Sequence, residues 1–101
     1  MIRGTTPTFQ LKITDDSVDL TQALNVYATF RQYGIELTKS GEDIDVAAHQ
    51  VDVYLTQSET LQFGDGNIEV QLNWTYGDGS RAASNIKTIQ VTKNLIGSVL
   101  E

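Results

Sequence analysis

The residues from Gly66 to Gly77, GNIEVQLNWTYG, alternate between apolar and polar side chains without a fault. An alternation with a period of two over about ten residues is typical of a β-strand that has one face on a core and the other in water. Such strands belong to antiparallel sheets, because parallel strands are covered on both faces and are apolar throughout. The stretch therefore predicts an antiparallel sheet in which Trp74 is a core anchor whose indole N–H needs one hydrogen-bond partner.

Shorter alternations predict further strands on both sides of this one. In the second strand, the apolar residues Leu24, Val26, Ala28 and Phe30 share one face. In the last strand the parity of the apolar residues changes, which predicts a β-bulge near Lys87-Thr88. A short stretch, Ile44 to Val46, is either an edge strand or part of a loop. The other predicted strands cover residues 8–14, 24–31, 34–39, 50–55 and 81–92. The strands 24–31 and 34–39 are predicted to form a hairpin with a turn at Tyr33-Gly34.

Six or seven short strands separated by turn signals are typical of an all-β, antiparallel β-sandwich that is immunoglobulin-like or related, and a small barrel is the alternative. One helical element is expected among them. Thr56-Gln57-Ser58-Glu59 is a capping box and predicts a short helical turn near 56–62.

Composition limits the classes of protein. A chain of 101 residues has the size of one domain, covering residues 1–101. Thirteen acidic and seven basic residues give a net charge of −6, which disfavours nucleic-acid binding. The chain has no cysteine, so disulfides and thiolate metal sites are excluded. The first residues lack the apolar segment of a signal peptide, and no run is long enough to cross a membrane. We therefore expect no signal peptide and no membrane contact.

The residues show no catalytic, cofactor-binding or metal-binding constellation. His49 is the only histidine, it lies in a polar stretch, and no nucleophile or orienting carboxylate is spaced to act with it. Carboxylates cluster at 15–19 and at 42–45, so a calcium site would form only if the two loops met. The glycine-rich turns match neither a phosphate-binding loop nor a dinucleotide fingerprint. We expect no cofactor.

Apolar residues at both ends of the chain lie outside the strand pattern. One interpretation is that they cover a sheet edge or fray. The other is that they dock on a neighbouring subunit, because sheet edges and terminal arms are common assembly devices. The candidate assembly contacts are Ile2, Leu95, Ile96, Val99 and Leu100.

Four segments resemble, in the same order, small proteins of about a hundred residues from phages and prophages of Gram-positive bacteria. They are MIRGTTPTF at 1–9, VYLTQSETLQF at 53–63, IEVQL at 68–72 and ASNI at 83–86, and the most specific is Leu-Thr-Gln-x-Glu-Thr-Leu-x-Phe. The chain departs from the pattern in its two Gly-Asp-Gly turns and in Trp74.

The resemblance implies a virion structural protein of the tail or baseplate region, similar to the β-rich N-terminal domain of upper baseplate proteins. It implies no enzymatic activity, and no functional residue is transferred from it. The implied partners are other phage tail or baseplate proteins or a second copy of the chain. The implied location is the virion, after synthesis in the bacterial cytoplasm.

A carbohydrate-binding module is the alternative, because β-sandwiches present aromatic side chains to sugars. The candidate residues are Tyr27, Tyr33, Tyr54 and Tyr76, and the strand parity predicts that Tyr27 and Tyr54 are exposed. An enzyme is the third hypothesis.

Overall fold

The structure is a computed structural model that describes residues 1–15 and 17–92. Within these residues the chain forms eight strands, one α-helix and two 3₁₀ turns. The strands are β1 Thr8–Lys12, β2 Asn25–Gln32, β3 Ile35–Ser40, β4 Ile44–Val46, β5 Gln50–Tyr54, β6 Gly66–Thr75, β7 Arg81–Ala83 and β8 Lys87–Val91. The helix α1 is Gln57–Leu61, and the 3₁₀ turns are Leu20–Gln22 and Gly41–Asp43. No helix in the described part of the chain has the length and apolar character needed to cross a membrane.

The strands form two antiparallel sheets that pack as a sandwich. One sheet has three strands in the order β1-β5-β4. The other has five, in which β3 and β2 lie on one side of β6, and β7 and β8 pair with its other side. The ring centroids of Phe9 in β1 and Phe30 in β2 lie 5.7 Å apart across the two sheets. The predicted antiparallel all-β sandwich is confirmed.

The long strand β6 lies in the middle of the five-stranded sheet and has one buried face, as its alternation predicts. Its apolar residues Ile68, Val70, Leu72 and Trp74 are all buried. Each of the last three lies opposite an apolar residue of β2, in the pairs Val70–Phe30, Leu72–Ala28 and Trp74–Val26. The indole N–H of Trp74 donates to the Tyr76 hydroxyl at 3.0 Å.

The predicted hairpin and the predicted helical turn are both present. Strands β2 and β3 pair from Gln32–Ile35 onward, so the loop between them has the two residues Tyr33-Gly34. In α1 the Thr56 hydroxyl accepts from the Glu59 N–H at 3.2 Å, and the Glu59 carboxylate accepts from the Thr56 N–H at 2.8 Å. Both halves of the capping box are therefore formed.

Two details differ from the sequence prediction. The segment 81–92 is two strands, β7 and β8, and not one, so the count in the described residues is eight and not six or seven. The pairing with β6 shifts by one residue between Trp74–Ala82 and Val70–Lys87. The extra residue lies at Asn85-Ile86 and not at Lys87-Thr88.

The position of Leu24 also differs from the sequence prediction. The prediction placed it on the buried face of the second strand, but 67% of its surface is exposed. Strand β2 begins one residue later, at Asn25, and the sandwich core at this end is closed by Val26 and by Leu20 from the first 3₁₀ turn. The alternation of apolar and polar residues in the sequence thus extends beyond the part of the strand that the other sheet covers.

Candidate functional site

Only one of the predicted assembly contacts lies among the described residues. Ile2 forms a parallel bridge with Thr92, and the Arg3 N–H donates to the Thr92 carbonyl at 3.0 Å. The first residues thus lie alongside the last residues of β8, where the Met1 amino group also donates to the Gln90 carbonyl, while half of the Ile2 surface stays exposed. The other four contacts, Leu95, Ile96, Val99 and Leu100, lie outside the described residues.

The start of the chain is held by the end of helix α1. The Arg3 guanidinium donates to the Phe63 carbonyl at 2.5 Å and to the Leu61 carbonyl at 2.7 Å. The buried Thr60 hydroxyl accepts from the Gly4 N–H at 3.0 Å and donates to the Thr5 carbonyl at 2.9 Å. Carbonyls at a helix C-terminus have no partner inside the helix, so a guanidinium is a suitable cap for them. The sequence does not single out Arg3 or Thr60, because nothing in it shows that these segments meet.

A groove of about 530 Å³, lined by both apolar and polar residues, lies at the opposite end of the five-stranded sheet. Its floor includes the buried Leu20, Val26 and Ile44, and its rim includes the exposed Leu24 and Val46. Tyr27 and the small residues Ser40 and Gly41 complete one side. We call this feature the Leu24 groove.

Short connections with defined hydrogen bonds form the Leu24 groove. The Asp19 carboxylate accepts from the Thr21 N–H at 3.0 Å and begins the first 3₁₀ turn, while the Leu20 N–H donates to the Ala48 carbonyl at 2.9 Å. The Leu24 N–H then donates to the Thr75 carbonyl at 2.7 Å. These bonds bury the side chain of Leu20 and leave that of Leu24 in water.

Strand β4 runs along the Leu24 groove as an edge strand of the three-stranded sheet. It pairs with β5 through Ile44–Val53, Asp45–Asp52 and Val46–Val51. No strand within residues 1–15 and 17–92 pairs with its other edge. Unpaired strand edges can accept a strand from another chain, although the short length of β4 and the charge of Asp45 limit this. The sequence left open whether residues 44–46 form an edge strand or part of a loop, and in the structure they form an edge strand.

Three of the acidic residues form turns. Asp15, Asp19 and Asp78 each accept from the backbone N–H and the hydroxyl of the residue two positions later. In each case the side-chain hydrogen bond and then the backbone hydrogen bond lower the pKa of the carboxyl group. Among the described residues, no group of three or more histidine or acidic side chains is arranged to hold a metal ion.

One carboxylate is part of an ion pair between β3 and α1. The Lys39 Nζ lies 2.7 and 2.6 Å from the two carboxylate oxygens of Glu59, and Lys39 is buried. Burial alone would raise the pKa of Glu59, but the hydrogen bonds from Lys39 and from the Thr56 N–H outweigh it and lower the pKa. The ion pair connects α1 to β3 at the edge of the five-stranded sheet, and its role is structural.

The four tyrosines do not form one platform. Tyr27 lies on β2 in the Leu24 groove and is half-buried, whereas Tyr54 lies on β5 in the other sheet. The Tyr54 hydroxyl donates to the Asp45 carboxylate, and this hydrogen bond raises the pKa of Tyr54. Tyr76 accepts from Trp74, and Tyr33 lies in the turn at the far end of β2. The predicted exposure of Tyr54 is confirmed, and that of Tyr27 is partial.

The Leu24 groove is the surface best suited to bind another molecule. It joins exposed apolar side chains to an unpaired strand edge, a combination that fits a peptide segment better than a small polar ligand.

Comparison with known proteins finds no relative of this chain. No protein-family model, no curated protein and no solved structure matches it.

Proposed function

We propose that this chain is a non-enzymatic structural protein of a phage or prophage virion, in the tail or baseplate region, and that it acts by binding neighbouring protein subunits. The observation that carries the proposal is the Leu24 groove. Leu24 is 67% exposed and Val46 is 39% exposed, and both lie beside the free edge of β4. Exposed apolar side chains that cluster, unlike scattered ones, mark sites of protein–protein contact.

The class of partner comes from the resemblance of segments 1–9 and 53–63 to phage tail-region proteins. Two features of the described residues support an assembly role. The start of the chain is held firmly through Arg3 and Thr60, yet Ile2 presents half of its surface to solvent. Within the same residues the sheets also have free edges at β4 and β3, to which a neighbouring chain can add.

Binding to tail proteins encoded by neighbouring genes tests the proposal. The purified chain is mixed with each of these proteins, and complexes are detected by size-exclusion chromatography with light scattering. We expect at least one stable complex, weakened by Leu24→Ser in the groove and unchanged by Ile86→Ser, which alters a comparably exposed apolar residue elsewhere. Failure to bind any tail protein from the same genome contradicts the proposal.

Carbohydrate binding is the second candidate function, and the placement of Tyr27 favours it. This half-buried ring lines the Leu24 groove beside Asn25 and Ser40, so that an aromatic face and polar groups lie together. A glycan array decides between the two candidates. Binding that Tyr27→Ala abolishes supports a sugar site, and an array without hits removes it.

A further inference from the structure

We propose that residues 93–101 of one copy bind in the Leu24 groove of a second copy, so that the chain assembles head to tail. The inference rests on the proposed assembly function and names one partner, which is this same chain. Residues 93–101 lie outside the described residues, whereas Thr92, which precedes them, and the groove both have defined positions.

Thr92, which directly precedes the segment, and the Leu24 groove lie at opposite ends of β6. Val91 pairs with Gly66 at the start of β6, and Thr92 lies just beyond it. The groove lies at the other end, where Leu24 bonds to Thr75. At about 3.4 Å per residue, the two ends of this strand are roughly 30 Å apart.

This separation excludes the groove of the same copy as the binding site for the whole segment. Leu95 follows Thr92 by three positions in the sequence. A fully extended chain advances at most about 3.6 Å per residue, so Leu95 stays within roughly 11 Å of Thr92. Leu95 and Ile96 therefore cannot reach their own groove, whereas a second copy can bring its groove to them.

The chemistry of the segment matches that of the groove. The segment reads KNLIGSVLE and carries four apolar side chains, Leu95, Ile96, Val99 and Leu100. The groove offers an apolar floor and a rim of exposed Leu24 and Val46. The apolar contacts provide the affinity.

Assembly of this kind does not stop at a dimer, because each dimer keeps one free donor segment and one free groove. Each copy has one donor segment, which follows Thr92, and one acceptor groove, and the two are different surfaces, so the contact is heterologous. Heterologous contacts form a ring when the rotation between copies closes and a filament when it does not. Both products suit a component of a tubular or ring-shaped particle.

The test measures the mass of the full chain in solution by light scattering and sedimentation at about 100 µM, where contacts with micromolar dissociation constants are saturated. We expect the unaltered chain to form particles larger than a monomer. Leu24→Ser removes the acceptor, and Leu95→Ser with Ile96→Ser removes the donor. Leu24→Ser is expected to raise the dissociation constant roughly tenfold to a hundredfold, the loss that follows when one Leu-sized contact is removed. The double substitution removes two such contacts and is expected to weaken assembly at least as much.

Mixing the two altered chains provides the sharper measurement. The acceptor-deficient chain keeps its donor, and the donor-deficient chain keeps its groove, so an equal mixture is expected to give a heterodimer that cannot grow. Ile86→Ser is the matched control, because Ile86 is 56% exposed and lies outside the groove. Thermal unfolding of each variant separates loss of the contact from loss of the fold.

Two results overturn the inference: an unaltered chain that stays monomeric at this concentration, and assembly that Leu24→Ser leaves intact. These results are distinct from failure of the proposed function. A monomer that binds tail proteins refutes only the self-assembly, and a self-assembling chain that binds none of them refutes only the role in the tail.

Discussion

Buried polar side chains hold the connections of this sandwich to its sheets. The amide of Gln32, at the end of β2, donates to the Gly64 carbonyl at 2.9 Å and accepts from the Gly64 N–H at 2.7 Å. The buried Lys39 donates to both carboxylate oxygens of Glu59. Polar groups removed from water are costly unless they are paired, so these residues tie specific loops to specific strands.

The Lys39–Glu59 pair predicts a change in the pH dependence of stability. The pKa of Glu59 is lowered in the folded chain, so its stabilisation is present above the unfolded pKa of about 4.5 and is lost as the pH falls through the lower folded value. Lys39→Met removes the partner and is expected to cost about 2 kcal/mol at neutral pH. The cost is below the range for fully buried pairs because part of Glu59 remains in water.

Urea unfolding between neutral pH and about pH 3 checks this prediction. The difference in stability between the unaltered chain and Lys39→Met should shrink in the acid range. The control is Asp43→Asn, because Asp43 lies 3.9 Å from Lys39 and is exposed. If the difference in stability between the unaltered chain and Lys39→Met stays constant with pH, the contribution assigned to the Lys39–Glu59 pair is contradicted.

Tyr33 has a backbone conformation that few residues adopt readily. Its φ is +52°, in the left-handed region, and its side chain is 86% exposed. Asparagine tolerates this region better than tyrosine. Tyr33→Asn is therefore expected to raise the free energy of unfolding by about 0.5–1 kcal/mol. Tyr33→Ala is the control in urea unfolding, because it removes the same ring without relieving the backbone, and equal effects of the two would refute the prediction.

At the scale of elements, the break between β7 and β8 is stabilised by one serine. The Ser84 N–H donates to the Leu72 carbonyl at 2.9 Å, and the Ser84 hydroxyl accepts from the Leu72 N–H at 3.0 Å. The side chain thus replaces the backbone carbonyl that a continuous strand would offer. Two residues, Asn85 and Ile86, then lie opposite one residue of β6, as in a bulge.

The serine at this break gives a direct prediction. Ser84→Ala leaves the Leu72 N–H without its acceptor, and an unpaired buried donor costs about 1–3 kcal/mol. Chemical denaturation measures the loss, and Ser58→Ala, at an exposed position of α1, is the control with an expected change within about 0.5 kcal/mol. An equally small effect at Ser84 would mean that water satisfies the donor.

At the scale of the molecule, both sheets share one core, which includes Val53 from the three-stranded sheet and Trp74 from the five-stranded sheet. A shared core of this size is expected to unfold in a single transition. Val53→Ala should lower the stability by about 2–3 kcal/mol. The transition seen by Trp74 fluorescence and that seen by far-ultraviolet circular dichroism should move together. Separate transitions would show that the three-stranded sheet unfolds by itself.

Some elements of the fold are predicted correctly from the sequence, and others are not. The alternation in β6, the Tyr33-Gly34 turn and the capping box of α1 depend on neighbours in the chain, and all three are predicted. The bulge at Asn85-Ile86 is predicted two residues too late, because a change of parity shows that one residue is added but not where. Leu24 is predicted to be buried, because parity gives the direction of a side chain and not what covers it.

The amino-acid sequence by itself determined the class of the fold and the buried face of each long strand, because the period of two and the turn residues act over a few positions. Only the tertiary structure decided which sheet each strand joins, that Arg3 caps the end of α1, and that Leu20, Leu24 and Val46 meet in a groove. These contacts join residues far apart in the chain, and their energy depends on packing and desolvation that no local pattern records.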